Sequence, residues 1–178
     1  MQSVVKSIDQ SKDRPRDPRN QEVVYPAFDD PQIGNLETPI NSSPLVKAYI
    51  NNLPAYRKGH TAIRRGLEVG MAHGYWLIGP FAKLGPLRDT DIANLAGLLS
   101  TVGLIIISTL AISLYAASNP PKPTVSVTTP NPPDAFNSAE GWNEYGSGFL
   151  IGGIGGALFA YALLALDITK FISNYLFQ

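Results

Sequence analysis

Two long stretches without a charged residue, both in the second half of the sequence, limit the fold more than any other feature. Ile92 to Ala116 is twenty-five residues long and Tyr145 to Leu166 is twenty-two, and neither contains Asp, Glu, Lys or Arg. A hydrocarbon core of about 30 Å is crossed by about 20 apolar residues in a helix. Each stretch therefore predicts a transmembrane helix. Residues 168–177 continue the second one, and the sequence leaves open whether that helix passes Asp167 or breaks there.

A third apolar segment, Gly66 to Gly85, is harder to interpret because Glu68, His73 and Pro80 interrupt it. Its uncharged centre, Val69 to Ala82, is fourteen residues long, so a core helix of a soluble protein remains an alternative. An acidic residue inside a membrane is normally functional. Small residues four apart let transmembrane helices pack closely, and this segment has three on one face: Gly66, Gly70 and Gly74.

These patterns predict an all-α membrane protein with three transmembrane helices, over about 66–85, 92–116 and 145–166. Residues 1–43 are polar and rich in proline, which predicts an extended N-terminal arm. Ser43 to Leu53 predicts a short amphipathic helix, with Ser43 as N-cap and Pro44 in the first position. That helix suits either the membrane interface or packing on a neighbour. Residues 44–178 would then form one three-helix domain.

Charge predicts how the chain lies in the membrane. Of fourteen Lys and Arg residues, ten precede Leu67, which places the N-terminus on the cytoplasmic side and, with three spans, the C-terminus on the other. The proline-rich residues 118–136 would be a rigid connector on the cytoplasmic side. The net charge is zero, which argues against nucleic acid as a partner. No cysteine is present, which excludes disulfides, iron–sulfur clusters and thiolate zinc sites.

Glu68 and His73 are the candidate ligands of the first span. A neutral imidazole can be the axial ligand of the magnesium in a chlorophyll ring, and a carboxylate oxygen also suits magnesium. At about 100° per residue the two side chains point about 140° apart, so they cannot share one metal. The alternatives are a histidine hydrogen-bonded inside a helix bundle, and an acid at a helix end paired with Arg64 or Arg65.

The turn that contains Asp89 and Asp91 is acidic, and we expect one of the two residues to cap the next helix. A calcium site needs six to eight oxygens, which only a partner chain could complete here. The sequence contains no nucleophile elbow, P-loop or dinucleotide fingerprint, so we expect no enzyme activity. A small transporter or channel subunit, with Glu68 and His73 in an ion or proton path, is the alternative function.

Several longer strings resemble the PsaL family, subunit XI of photosystem I. They are NLPAYR at 52–57, RGLEVGMAHGY at 65–75, GP at 79–80, KLGPLRD at 83–89 and EGW at 140–142. The likeness covers most of residues 34–177. The first residues, 1–29, match the family weakly.

The resemblance implies a structural and antenna subunit of photosystem I in the thylakoid membrane of cyanobacteria, with the C-terminus in the lumen. It implies that Glu68 and His73 ligate chlorophyll a, that beta-carotene packs nearby, and that Asp89 and the Pro86 carbonyl help bind calcium between neighbouring copies. The implied partners are PsaA, PsaB, PsaI, PsaM, PsaL of neighbouring monomers and membrane lipid. The long loop at 119–136 is similar to that of cyanobacteria with tetrameric photosystem I, so trimer and tetramer both remain open.

Overall fold

The computed structural model of the chain describes residues 24–166, and they are mostly helical. The α-helices are α1 (Pro44–Asn52), α2 (Ala62–Leu84), α3 (Ala93–Ala117) and α4 (Ala139–Ala165). A helical fold, as predicted, is therefore confirmed for this part of the chain. The predictions for residues 1–23 and for the continuation past Asp167 lie outside the described residues.

The segment before α1 contains short elements that the sequence analysis did not predict. Strand β1 (Tyr25–Pro26) pairs antiparallel with strand β2 (Leu36–Glu37). Two 3-10 turns lie between them, at Ala27–Asp29 and Pro31–Ile33. Asp30 caps the second turn by accepting a hydrogen bond of 2.9 Å from the Gln32 amide. Two-residue strands have no period to detect, which is why this segment read as extended.

Helix α1 begins as the sequence predicted. The Ser43 hydroxyl accepts a hydrogen bond of 3.2 Å from the Val46 amide, and Pro44 occupies the first turn. The proline-rich loop folds back on this helix, since the Asn51 side chain donates to the Thr128 carbonyl at 2.8 Å. The loop and α1 therefore lie at the same end of the helix bundle.

Helices α2 and α4 run parallel and pack through glycine. Gly66, Gly70 and Gly74 are buried and face the backbone of α4. A Cβ placed on Gly66 would lie 2.8 Å from the Phe149 nitrogen, closer than real Cβ contacts. Only residues without a side chain allow this approach. The close helix contact predicted from this glycine pattern is confirmed, and the partner is a helix of the same chain.

The glycines of α4 complete the same contact from the other side. Gly148, Gly152 and Gly156 face, in order, the carbonyl groups of α2 residues Ile63, Leu67 and Met71. Each helix thus presents bare backbone to the other. We call this contact, formed by Gly66, Gly70, Gly74, Gly148, Gly152 and Gly156, the glycine seam.

Helix α3 runs antiparallel to the other two and packs on both. Gly97 lies against Ala82 of α2, and Gly153 of α4 faces the Ile105 side chain. The Thr101 hydroxyl is buried and donates to the Gly97 carbonyl at 2.8 Å, so it needs no partner outside its own helix. Four buried side chains form the core between the helices: Ile78, Leu98, Ala157 and Ala160.

Helices α3 and α4 are long and apolar enough to cross a membrane. Only 22% of the apolar stretch of α3 and 39% of that of α4 is buried. A core helix of a soluble protein hides most of its apolar surface, whereas these two helices present theirs outward. Lipid or partner chains therefore have to cover them. Within residues 24–166, α3 and α4 are the two helices that are both long enough and apolar enough, so α2 is not one of them.

Two details of the helix ends differ from the predictions. The capping role expected of Asp89 or Asp91 is wrong, because α3 begins after Ile92 without a side-chain cap. Helix α4 begins at Ala139, before the predicted Tyr145, and the Ser138 hydroxyl accepts from the Gly141 amide at 3.1 Å. The predicted start was the first residue of the uncharged stretch. The helix begins earlier because acidic residues near a helix N-terminus stabilise it.

Candidate functional site

Glu68 lies in the second turn of α2 among three nitrogen-bearing side chains. Its Oε1 accepts a hydrogen bond of 3.0 Å from Arg64 Nε and lies 3.2 Å from His60 Nε2. Its Oε2 lies 3.4 Å from Arg57 NH1. Arg64 was an expected partner, whereas Arg57 and His60 belong to the loop before α2 and were not expected. The carboxylate is therefore charge-compensated within its own chain.

Arg65, the other expected partner of Glu68, has a different role. Its side chain is buried, and its NH1 donates to the Pro54 carbonyl at 3.2 Å and to the Ala55 carbonyl at 2.9 Å. These bonds hold the loop before α2 against the helix. The loop carries Arg57 and His60, so Arg65 also helps to place them beside Glu68.

An apolar groove of about 650 Å³ lies between α2 and α4, with Glu68 in its lining. Glu68 is the one charged side chain there. Part of the wall on the α4 side is formed by Gly152, Gly155 and Gly156, where a flat ring can approach the backbone. Larger apolar side chains form much of the rest: Leu67, Met71, Tyr75, Ile151 and Phe159. The groove thus combines an apolar lining with one carboxylate.

His73 lies outside the lining of this groove, on an exposed position of α2. Its Nδ1 is 2.8 Å from the Val69 carbonyl oxygen. A carbonyl oxygen only accepts, so Nδ1 carries the hydrogen, and in the neutral ring Nε2 keeps its lone pair. The edge of the ring meets Phe149, with 5.4 Å between ring centres. In the described part of the chain, no hydrogen bond joins His73 to Glu68.

Asp89 and Pro86 lie at the opposite end of α2, and both are exposed. The Asp89 side chain is 84% exposed and lies 3.4 Å from Arg88 Nε. Across residues 24–166, no group of three or more His, Cys, Asp or Glu side chains could hold a metal ion. A cation at Asp89 would therefore need oxygens from another molecule.

An aromatic cluster that the sequence analysis missed lies where the proline-rich loop meets α4. The Trp142 ring centre is 4.5 Å from that of Phe136 and 5.1 Å from that of Tyr115. The indole nitrogen donates to the Phe136 carbonyl at 3.2 Å. Tyr145 continues the cluster towards Phe149 and so towards His73. Tryptophan and tyrosine at one helix end are typical of a membrane interface.

Comparison with known proteins gives one consistent result. The family described as photosystem I reaction centre subunit XI, PsaL, matches residues 23–168. A protein of Mastigocladus laminosus named photosystem I reaction center subunit XI is 71% identical over 160 residues, covering 90% of this chain and 92% of the relative. The protein of that name in Nostoc punctiforme is 68% identical, covering 90% and 93%. In Crocosphaera subtropica the identity is 60%, with 75% and 86% covered. These names describe a photosystem subunit, not an enzyme.

Proposed function

Because the chain belongs to the PsaL family, photosystem I reaction centre subunit XI, we propose that it is a pigment-holding and monomer-joining subunit of that complex. Membership makes it a cyanobacterial-type photosystem I subunit of the thylakoid membrane, with no enzyme activity of its own. Chlorophyll a and beta-carotene binding, contact between monomers and the full membrane topology are the proposed part. The observation that carries the proposal is the apolar groove with the Glu68 carboxylate in its lining.

We infer that α2 is a third span. With twenty-three residues it is about 34 Å long, enough to cross a hydrocarbon core. The glycine seam holds α2 alongside α4. Where α4 crosses the membrane, α2 therefore crosses it at the same depth. Its outer face carries exposed apolar side chains, with Trp76 at 73% and Met71 at 50% exposure. The Arg residues around Glu68 offset the cost of an acid near lipid, which is about 2.5 kcal/mol or more at the centre.

Three spans lead to the proposed orientation. The basic loop before α2, α1 and the proline-rich loop lie at one end of the bundle, and the positive-inside bias makes that end cytoplasmic. Helix α4 then carries the C-terminus towards the lumen. A protease added to right-side-out thylakoid vesicles tests this topology, because their outer surface is the cytoplasmic face. The loop before α2 and the proline-rich loop should be cleaved there, whereas the lumenal end should be protected.

The residues present fit a magnesium-bearing ring at Glu68. A carboxylate offers about four acceptor positions, and three contacts from Arg64, His60 and Arg57 leave one on Oε2. The apolar groove suits the body and tail of such a pigment. When bound, a chlorophyll absorbs light and passes the excitation to neighbouring pigments. The chain itself supplies the ligand, the apolar wall and the exclusion of water.

His73 fits a second ring by a separate argument. Its Nδ1 donates to the Val69 carbonyl, as the second ring nitrogen of a metal-binding histidine usually does. Nε2 is therefore the nitrogen that can bind a metal. Glu68 and His73 have no shared hydrogen bond among the described residues, which supports two pigment sites over one ion path. The exposed apolar faces of α3 and α4 suit carotenoid, lipid and the partners PsaA, PsaB, PsaI and PsaM.

The contact between monomers is proposed at the lumenal end of α2. Asp89 and Pro86 are exposed there, and a calcium ion held by both would need oxygens from PsaL of the neighbouring monomer. The structure of this chain is compatible with trimers and with tetramers. Removing calcium with a chelator and measuring oligomer size on a native gel tests the site, and unchanged oligomers would count against it.

Pigment analysis of the purified complex tests the main proposal. We expect His73→Leu and Glu68→Ala each to remove one chlorophyll from the complex, seen as lower pigment content and as missing density in a cryo-EM map. Glu144→Ala is the control, because it removes an exposed acid of α4 that does not line the groove. Full pigment content and intact density in both site variants would refute the proposal.

A further inference from the structure

We propose that Arg57 and Arg64 are positioning residues for Glu68, which direct its free oxygen lone pair at the pigment and tune the pigment's absorption. The inference rests on the proposed function of Glu68 as a magnesium ligand. It follows from the contacts of the two guanidinium groups with the carboxylate, Arg64 with Oε1 and Arg57 with Oε2.

The contacts divide the two oxygens of Glu68 into different roles. Oε1 accepts a hydrogen bond from Arg64 Nε at 3.0 Å and lies 3.2 Å from His60 Nε2. Oε2 has one contact, with Arg57 NH1 at 3.4 Å. A carboxylate oxygen accepts about two hydrogen bonds, so with a hydrogen on His60 Nε2 both positions of Oε1 are taken, whereas Oε2 retains one. The pattern therefore selects Oε2 as the magnesium ligand.

The arginine at 57 is held from both sides. Its Nε donates to the Asn52 carbonyl at 2.9 Å, at the end of α1. Its NH1 lies 3.4 Å from both Glu68 Oε2 and His60 Nε2. Since the carboxylate only accepts, His60 Nε2 must carry a hydrogen to bond Oε1, and the Arg57 hydrogen then goes to Oε2. Arg57 thus ties the position of the carboxylate to the loop and to α1.

Arg64 acts from within the helix. It lies one turn before Glu68, and its Nε bond to Oε1 fixes the rotamer of the acid. The Arg64 side chain is 61% exposed and that of Arg57 42%, so both also face surroundings other than Glu68. Either residue can therefore be replaced without leaving a large cavity. Partners of this kind typically change metal affinity by about 10- to 100-fold when they are removed.

Charge explains the effect on absorption. Two positive groups draw negative charge away from a ligand that would otherwise bring a full negative charge to the ring. On the side of the groove the lining is apolar and screens this field weakly, whereas the exposed sides of Arg57 and Arg64 are screened by their surroundings. Removing one guanidinium leaves the ligand more negative, which shifts the energy of the ring's electronic transition. Lys in the same place keeps the charge and loses the forked geometry.

The test compares Arg57→Gln, Arg64→Gln and Arg64→Lys in the whole photosystem I complex. We expect both Gln variants to lose chlorophyll about 10- to 100-fold faster in detergent, and to show a shifted band in the low-temperature absorption difference spectrum. Arg64→Lys should retain most of the band position and only part of the stability. The control Lys58→Gln removes an exposed cation from the same loop, and both readouts should stay unchanged.

A double variant separates this inference from the proposed function. Adding Arg64→Gln to Glu68→Ala should cause no further spectral change, because the affected pigment is already absent. If Glu68→Ala removes a pigment while both Gln variants match Lys58→Gln, the positioning role is wrong and the ligand role stands. If Glu68→Ala leaves pigment content and spectrum unchanged, the proposed function of Glu68 itself fails.

Discussion

The glycine seam leads to a prediction that can be worked from distances, because α4 contains one glycine that faces α2 and another, three residues away, that does not. A Cβ on Gly152 would lie 2.8 Å from the Leu67 carbonyl carbon and closer still to its oxygen. A Cβ on Gly155, three residues further along α4, would meet nothing within 4 Å. Both residues are helical, so Ala gains the same propensity at each, about 1 kcal/mol. Both glycines also line the groove proposed for the pigment, so a ring bound there meets either added methyl group. A lower stability of Gly152→Ala than of Gly155→Ala therefore reports the contact with α2.

The expected cost at Gly152 follows from the space required. Ordinary contact begins at 3.4 Å, so the backbones have to separate by more than half an ångström. Overpacking of this kind costs about 1–3 kcal/mol, and the separation also weakens dispersion contacts along the seam. After the propensity gain, Gly152→Ala should be neutral to about 2 kcal/mol destabilising. Gly155→Ala should be stabilising by up to about 1 kcal/mol.

Thermal release of the subunit from purified photosystem I measures this difference. We expect the Gly152→Ala complex to lose this chain at a lower temperature than the Gly155→Ala complex, as followed by native gel and immunoblot. Gly152→Leu, with a larger side chain, should prevent stable incorporation. The reasoning is refuted if Gly152→Ala and Gly155→Ala release the chain at the same temperature, because helix packing would then not depend on bare backbone at Gly152.

Two other predictions concern the end of the bundle at which α1 and the proline-rich loop lie. Replacing Arg65 by Met should free the Pro54 and Ala55 carbonyls, and hydrogen exchange should become faster in the loop before α2; unchanged exchange there would show that Arg65 does not hold the loop. Trp142→Phe keeps an aromatic ring but removes the hydrogen bond to the Phe136 carbonyl, at a cost of about 0.5–1.5 kcal/mol. A lower melting temperature of the complex would show it, whereas Glu144→Gln, which changes an exposed acid beyond the first turn of α4, should melt like the unmodified protein.

Local sequence signals predicted the helices well. An uncharged stretch such as 92–116 indicates by itself a helix that needs an apolar environment. In the same way, Ser43 followed by Pro44 indicates a helix start within four residues. Where a local signal was ambiguous, prediction failed. Asp89 and Asp91 are suitable capping residues, yet α3 begins at Ala93 without a cap from either. The first turns of α4 were not predicted, because they contain charged residues and the span was predicted from uncharged residues alone.

The spacing of Gly66, Gly70 and Gly74 predicted a close helix contact but could not name its partner, since the facing glycines lie more than seventy residues away. The sequence likewise offered Arg64 and Arg65 as partners for Glu68, and only one of them reaches it. The direction of a side chain depends on how a loop folds over a helix, and no local pattern records that.

The amino-acid sequence alone determined the helical architecture and placed Glu68 and His73 in α2. The tertiary structure decided what surrounds these side chains: parallel packing of α2 and α4 created the groove, and the loop held by Arg65 brought Arg57 and His60 to Glu68. Hydropathy and capping are properties of neighbouring residues, so they can be read along the chain. A groove and a charge cluster arise only when distant backbones are brought together, which close packing achieves here through glycine.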